Sequence, residues 1–187
     1  MPVITISRQL GSLGSRIADR VAEQSGCKVV IREVINQAAL RAGVPDVALS
    51  AIDDLGLFGI KPTAEDQAAY HLAIKDLMFE LACDGNVVIV GRAGQVILHG
   101  YPGVLHVRII APVAIRTQRI SERYKISKAS ALAQINASDR NRKRYLRLHY
   151  QADWNDPEWY DLVINTARLS LDAAANLIIA AAQNLPS

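Results

Sequence analysis

The residues Arg8-Gln9-Leu10-Gly11-Ser12-Leu13-Gly14-Ser15 follow directly on a β-branched run and have the makings of an anion site. A phosphate needs backbone N–H groups aimed at it, and glycine lets the chain approach with no Cβ in the way. Gly11 and Gly14 supply that freedom, Ser12 and Ser15 offer hydroxyls to a phosphate or to Mg2+, and Arg8 and Arg16 are the nearest cations. The form G-x-x-x-x-G-K-[ST] would put a lysine on the β- and γ-phosphates. Ser15 and then Arg16 follow Gly14 instead, and no Gly-Lys-Ser/Thr occurs anywhere in the chain. Arg8 and Arg16 are therefore the candidates for that cation, each a planar fork rather than a point charge. An ordinary tight strand-to-helix turn carries the same Gly-x-x-Gly pattern and stays open as the plainer reading.

A second group of candidates is cationic. Residues 116–147 hold ten Lys or Arg against Glu122 and Asp139, a local balance of +8, whereas the chain as a whole carries only +3. Arg116, Arg119 and Arg123 stand at i, i+3 and i+7, one helical face. Further on, Asp139 and Arg142 are three apart, and Arg140, Arg144 and Arg147 form another stripe. Arginines closing over a migrating phosphoryl group stabilise the charge it gathers. A solvated, salt-bridged helical hairpin is the plainer alternative. Aromatic residues for base stacking are nearly absent between the basic ones, which argues against nucleic acid as partner. Arg92, after Gly91 at the end of an apolar run, is placed to hold an acceptor phosphate bidentately or to pair a carboxylate. His71, His99, His106 and His149 show no partner pattern, and Cys27 and Cys83 lie far apart without metal spacing.

The elements that must position these groups alternate. Val3 to Ser7 reads as a strand, with a helical pattern from Ser15 to Gly26, a short strand over 28–31 and a helix over 33–42. Residues 44–62, with Gly56, Gly59 and Pro62, read as a broken connection. Thr63 with Asp66 forms a capping box ahead of a helix whose stripe is Tyr70, Ala73, Ile74, Leu77, Met78 and Leu81. Strands over 86–90, 104–110 and 162–164 alternate with helices over the basic segment, the second of them capped by Ser127, and with a last helix over 171–183. Apolar strands alternating with helices predict an α/β fold with a parallel sheet covered on both faces. Ligands in such sheets lie at the carboxyl ends of the strands, which gathers residues 7–15, 91–94 and 111–112 around one crevice.

A chain of 187 residues, half of them hydrophobic and 5% aromatic, is long enough for one aliphatic-cored domain with or without a mobile lid. No apolar run approaches the roughly 18 residues of a membrane span, so no membrane partner is expected. The opening residues are too short for a secretory signal and lack a basic region; the expected compartment is the cytoplasm.

Taken in order, Ile-Thr-Ile-Ser-Arg-Gln-x-Gly-Ser-x-Gly, Val-Ile-Val-Gly-Arg-Ala, Val-Arg-Ile-Ile-Ala-Pro, Asp139-x-x-Arg142-x-x-Tyr145, Trp154-x-Asp-Pro157 and Tyr160-Asp161-Leu-Val-Ile-Asn165-Thr166 resemble the cytidylate-kinase-like family. That is a divergent branch of the P-loop nucleoside-monophosphate kinases, and the resemblance runs along nearly the whole chain. It implies a three-layer P-loop NTPase fold: core 1–31 and 85–115, a nucleoside-monophosphate-binding insertion 32–84, an Arg-rich helical lid 116–150 and a core return 151–187. It also implies transfer of the γ-phosphoryl of ATP, with Mg2+, to CMP or dCMP. Gly11 to Ser15 would hold ATP phosphates, Glu33 and Arg92 would face the acceptor, and Arg116, Arg119, Arg123, Asp139 and Arg142 would serve catalysis in the lid and its hinge. Two positions depart from the pattern: Ser15 where Arg or Lys is usual, and Ile31 where a carboxylate is common.

Two alternatives remain open on the sequence. One is a nucleotide-binding regulator without transferase activity, suggested by the missing loop lysine and the missing acid at position 31. The other is a kinase for a small non-nucleotide metabolite, suggested by the apolar Leu57, Phe58 and Ile60 in the insertion.

Overall fold

A computed structural model of the chain describes residues 2–41, 43–44 and 63–185. The readings at Gly56, Leu57, Phe58, Gly59, Ile60 and Pro62 lie outside the described residues. Strands β1 (Val3–Arg8), β2 (Lys28–Val30), β3 (Val87–Val90), β4 (Val104–Ile110) and β5 (Leu162–Asn165) form one sheet in the order β2-β3-β1-β4-β5. All four pairings are parallel, with Ile6 opposite Val90 and Val107.

Side chains alternate along each strand, so one register sorts them into two layers. Ile4, Ile6, Val88, Val90, Leu105, Val107 and Ile109 pack against Ile17, Ala18 and Val21 of helix α1 (Gly14–Ser25) and against Ala174, Ala175 and Ile178 of the terminal helix. Val3, Val87, Ile89 and Val104 pack on the other face against Ile35 and Ala39 of α2 (Arg32–Arg41) and Tyr70, Ile74 and Met78 of α3 (Ala64–Asp84). A sheet buried on both sides explains strands that read as continuous apolar runs.

The α3 layer also receives the sheet's polar side chains. Thr5 and Ser7 of β1 stand in register with His106 and Arg108 of β4, all four are buried, and Thr5 Oγ1 bonds His106 Nδ1 at 2.8 Å.

Local signals set the helix boundaries. The Thr63 hydroxyl accepts from the Asp66 amide and the Asp66 carboxylate accepts from the Thr63 amide, a closed capping box at the start of α3. Beyond the short α4 (Gly94–Ile97), α5 (Val113–Tyr124) and α6 (Lys128–Tyr150) make up the basic segment. Ser127 caps α6 by accepting from the Ser130 amide, and Ile120 of α5 packs on Ala131 and Ile135 of α6. Asp156 caps a 3-10 turn at Pro157–Trp159 that leads into β5, and Ser170 caps α7 (Leu171–Gln183). Among the described residues, no helix is long and apolar enough to cross a membrane.

Candidate active site

The loop after β1 is held in one conformation by its carbonyl groups. The carbonyl of Arg8 accepts from Arg142 Nη1 at 2.8 Å, and that of Gln9 from the Ser12 amide and hydroxyl. Leu10 O accepts from Arg116 Nη1, Gly11 O from Arg119 Nη1, and Ser12 O from Thr166 Oγ1 at 2.9 Å. Leu13 O takes the Ile17 amide, the first bond of α1. With its carbonyl oxygens tied down from residue 8 to 13, the loop repels an incoming anion less. The first-turn amides of α1 have no intrahelical partner, as in any helix, and the helix is not capped by a side chain, since left-handed Leu13 precedes it. Such a terminus attracts anions.

Both loop glycines owe their place to neighbouring arginines. Gly11, at φ +81°, would put a Cβ 2.9 Å from the Arg116 carbonyl oxygen. A Cβ on Gly14 would lie 2.4 Å from Arg8 Cβ and 2.9 Å from Arg8 Cγ. Arg8 also dictates a third glycine: a Cβ on Gly91 would stand 2.4 Å from Arg8 Nη1. The Arg8 side chain therefore runs from the head of α1 to the end of β3, with its guanidinium over Gly91. The sequence pattern assigns Gly11 and Gly14 to the phosphate; the geometry adds that a Cβ at Gly14 or at Gly91 would collide with Arg8.

At the end of β3, Gly91, Arg92 and Ala93 adopt φ of +86°, +56° and +57° in succession. Two non-glycine residues in the left-handed region cost about 1–2 kcal/mol each, and such strain gathers at ligand sites. The turn carries Arg92 to α2, where Nη2 donates to Asn36 Oδ1 at 2.9 Å.

Between these two turns lies a cavity of about 690 Å3, within the range of small-molecule sites. Ser7, Arg8, Ser15 and Asp19 line one side, Ile31, Arg32, Gly91 and Arg92 another, and Asn141, Arg142 and Tyr145 of α6 a third. The cavity lies at the carboxyl ends of β1, β2 and β3, where the fold places ligands.

The structure divides the candidate residues. Arg8, Ser15, Arg92 and Arg142 line the cavity; Gly11, Gly14, Ser12 and Arg16 do not. Ser12 is fully buried and its hydroxyl donates to Gln9 O at 2.8 Å, which turns it away from a metal in the cavity. Arg16 is exposed. Glu33 is in α2 and its side chain lies outside the described residues.

The arginines expected in the lid also separate. Arg116 is buried and fully engaged: Nε donates to Ala111 O, and Nη1 and Nη2 meet the two Asp139 oxygens at 3.3 and 3.0 Å. Arg119 clasps Thr166 Oγ1 and O at 3.0 and 2.7 Å. Arg123 is exposed, with its guanidinium 5.4 Å from the centre of the Tyr124 ring. Burial pushes the Arg142 guanidinium below its ordinary pKa, with Asp139 opposing the shift and Arg116 adding to it.

The sequence reading missed the support behind the cavity wall. The guanidinium of Arg108 lies 4.7 Å from the Trp154 ring and 5.3 Å from the Tyr160 ring, and donates to Trp154 O and Asn155 Oδ1. Trp154 in turn donates from Nε1 to Ser7 Oγ at 2.8 Å, which fixes the end of β1. An arginine inside a buried strand was the available signal. A second missed cluster joins α3 to the end of α6, with His71 Nε2 2.9 Å from His149 Nδ1 and the Tyr150 hydroxyl at His71 Nδ1.

The sequence profile of the Cytidylate kinase-like family matches residues 3–168. A cytidylate kinase of Pyrococcus horikoshii is 32% identical over 98% of this chain and 89% of its own length. Among solved structures, an uncharacterized protein from Eubacterium ventriosum superposes with a TM-score of 0.76 at 22% identity, over 98% of this chain and 99% of that one. A shikimate kinase from Acinetobacter baumannii superposes with a TM-score of 0.54 at 15% identity, over 100% and 96%. The latter two likenesses are of fold.

Proposed function

The chain belongs to the Cytidylate kinase-like family, and from that premise we propose that it is a phosphotransferase that moves the γ-phosphoryl of ATP to a nucleoside monophosphate of the CMP or dCMP kind. The observation that carries this reading is the cavity where Arg8, Arg92 and Arg142 converge with Ser15 at the head of α1. In the step itself an acceptor phosphate oxygen attacks the γ-phosphorus and the bond to the β-γ bridging oxygen breaks, giving two nucleoside diphosphates. The charge gathered on the way is met by fixed cations, and no strong general base is needed for a phosphate acceptor.

The roles divide by position. Arg8, Ser15 and the first amides of α1 hold the donor phosphates, Arg8 serving where a loop lysine would. Arg92 takes the acceptor phosphate, and Arg142 lies between the two. Arg116 with Asp139, and Arg119 with Thr166, act by holding the loop. By the family pattern Glu33 would face the acceptor, Arg16 the donor phosphates, and Arg123 would belong to the lid. Residues 32–84 serve as the acceptor-binding insertion and 116–150 as the lid.

Mg2+ is the metal this family implies. Ser15 and Asp19, one helical turn apart on the cavity side of α1, are hard oxygen donors that suit it. Among the described residues no group of three His, Cys, Asp or Glu side chains could hold a metal by itself, which fits an ion that arrives on the nucleotide. When bound, Mg2+ would supply charge neutralisation to the donor phosphates.

The test is a coupled assay of ADP formation with a panel of nucleoside monophosphates and shikimate-like polyols, with and without Mg2+. Turnover with a pyrimidine monophosphate supports the reading; equal background rates for every acceptor refute it.

A further inference from the structure

Helix α6 has two opposed faces. Ser138, Asn141, Arg142, Tyr145 and Leu146 line the cavity, whereas Arg140, Lys143, Arg144 and Arg147 stand at i, i+3, i+4 and i+7 on the far side, all four exposed. At 1.5 Å per residue these cations occupy roughly 10 Å of helix. None of them makes an ion pair with a described residue. The two acids of the segment cannot balance them, because Asp139 is held by Arg116 and Glu122 takes the Gln118 amide. Like charges crowded on a helix destabilise it, so the stripe is maintained against its own repulsion. It also lacks the bulky apolar or aromatic centre of a protein-binding hot spot.

We propose that this stripe collects anions: it raises the rate at which nucleoside phosphates encounter the cavity without touching them once bound. This rests on the nucleotide-kinase reading and adds a kinetic function to residues outside the site. The stripe lies one helix diameter, about 10–12 Å, from the cavity, well inside the ~30 Å screening length at 0.01 M salt and beyond the ~3 Å of 1 M salt. Clefts flanked by one sign of charge gain on the order of tenfold or more in association rate.

The experiment is stopped-flow binding of a fluorescent N-methylanthraniloyl ATP to the wild-type chain, to R140Q/K143Q/R144Q/R147Q and, as a variant that keeps the helix charged, to R140E/R144E. At 10 mM ionic strength the association rate constant should fall roughly tenfold in the neutralised variant and further in the reversed one. All three should converge at 1 M, with dissociation rates unchanged throughout. Equal association rates at low salt overturn the proposal while leaving the kinase reading intact. A raised dissociation rate also overturns it, since the residues would then contact the nucleotide. Retention of a 20-base-pair duplex at 150 mM salt through these four residues would reassign the stripe to nucleic acid. No nucleotide binding by the wild type overturns the kinase reading and this inference together.

Discussion

Replacing Gly91 with alanine isolates the role of Arg8. Gly91 sits at φ +86°, so an L-residue there costs about 1–2 kcal/mol of backbone strain. For a domain of this size that lowers Tm by roughly 2–8 °C. The new methyl carbon would also fall 2.4 Å from Arg8 Nη1, and ordinary contact begins near 3.4 Å. The guanidinium must therefore retreat by about 1 Å, a misplacement that in a catalytic site costs about a hundredfold in rate. Gly91→Ala should thus remain folded at 20 °C, lose roughly two orders of magnitude in kcat and bind ATP less tightly by calorimetry. The control is the same change in an Arg8→Ala background, where no guanidinium remains to displace. There Gly91→Ala should lower Tm as before and leave ATP affinity where Arg8→Ala alone puts it. If the loss of affinity is the same in both backgrounds, the glycine does not act through Arg8 and the assignment of the phosphate cation is wrong.

Three further outcomes follow from the geometry. Gly14→Ala places a methyl 2.4 Å from Arg8 Cβ, an atom too near the backbone to swing away, and overpacking of about 1–3 kcal/mol should appear in urea unfolding as a lower midpoint with unchanged slope. Asp139→Asn leaves the buried Arg116 charge without its carboxylate, a loss of about 3 kcal/mol that thermal unfolding should register as roughly 6–12 °C; an unchanged Tm would mean the pair does not hold the loop. Burial first, then the charges of His149 and Arg92, push His71 down to about 4. The unfolded chain therefore takes up this proton near pH 6.5 while the folded chain resists until about pH 4, so stability is lost as pH falls through that window and is flat above it. His71→Gln should reduce the acid-side loss of Tm between pH 6.5 and 4 relative to the wild type, and an identical slope would remove the imidazole pair as its cause.

The architecture was legible where the signal is local. The closed box of Thr63 and Asp66, the stripe of Tyr70, Ile74 and Met78, and the apolar strands each follow from a few neighbouring residues, and the structure has them where the spacing puts them. The family, carried by motifs in order along the chain, was legible for the same reason. What escaped depends on contacts between distant residues. The partner of Gly91 is Arg8, that of Ser7 is Trp154, and that of His71 is His149, and no periodicity links such positions. The charge excess of residues 116–147 was countable, but a sum has no direction. The stripe of Arg140, Arg144 and Arg147 is readable apart from Asp139 and Arg142, but only packing shows that the face of Arg142 meets the cavity. The glycine-rich loop shows a subtler limit: sequence reveals that a Cβ is absent, and only packing reveals which neighbour requires it.

The central claim is that the Arg8 side chain, threaded between Gly14 and Gly91, brings its guanidinium to the donor phosphates in place of a loop lysine. A crystal structure with a non-hydrolysable ATP analogue and Mg2+ tests it directly. It should show a β- or γ-phosphate oxygen about 2.7–2.9 Å from an Arg8 Nη atom, with the phosphates over the first turn of α1. Phosphates held by Arg16 or by the outer face of α6, with Arg8 unmoved over an empty Gly91 turn, would contradict it.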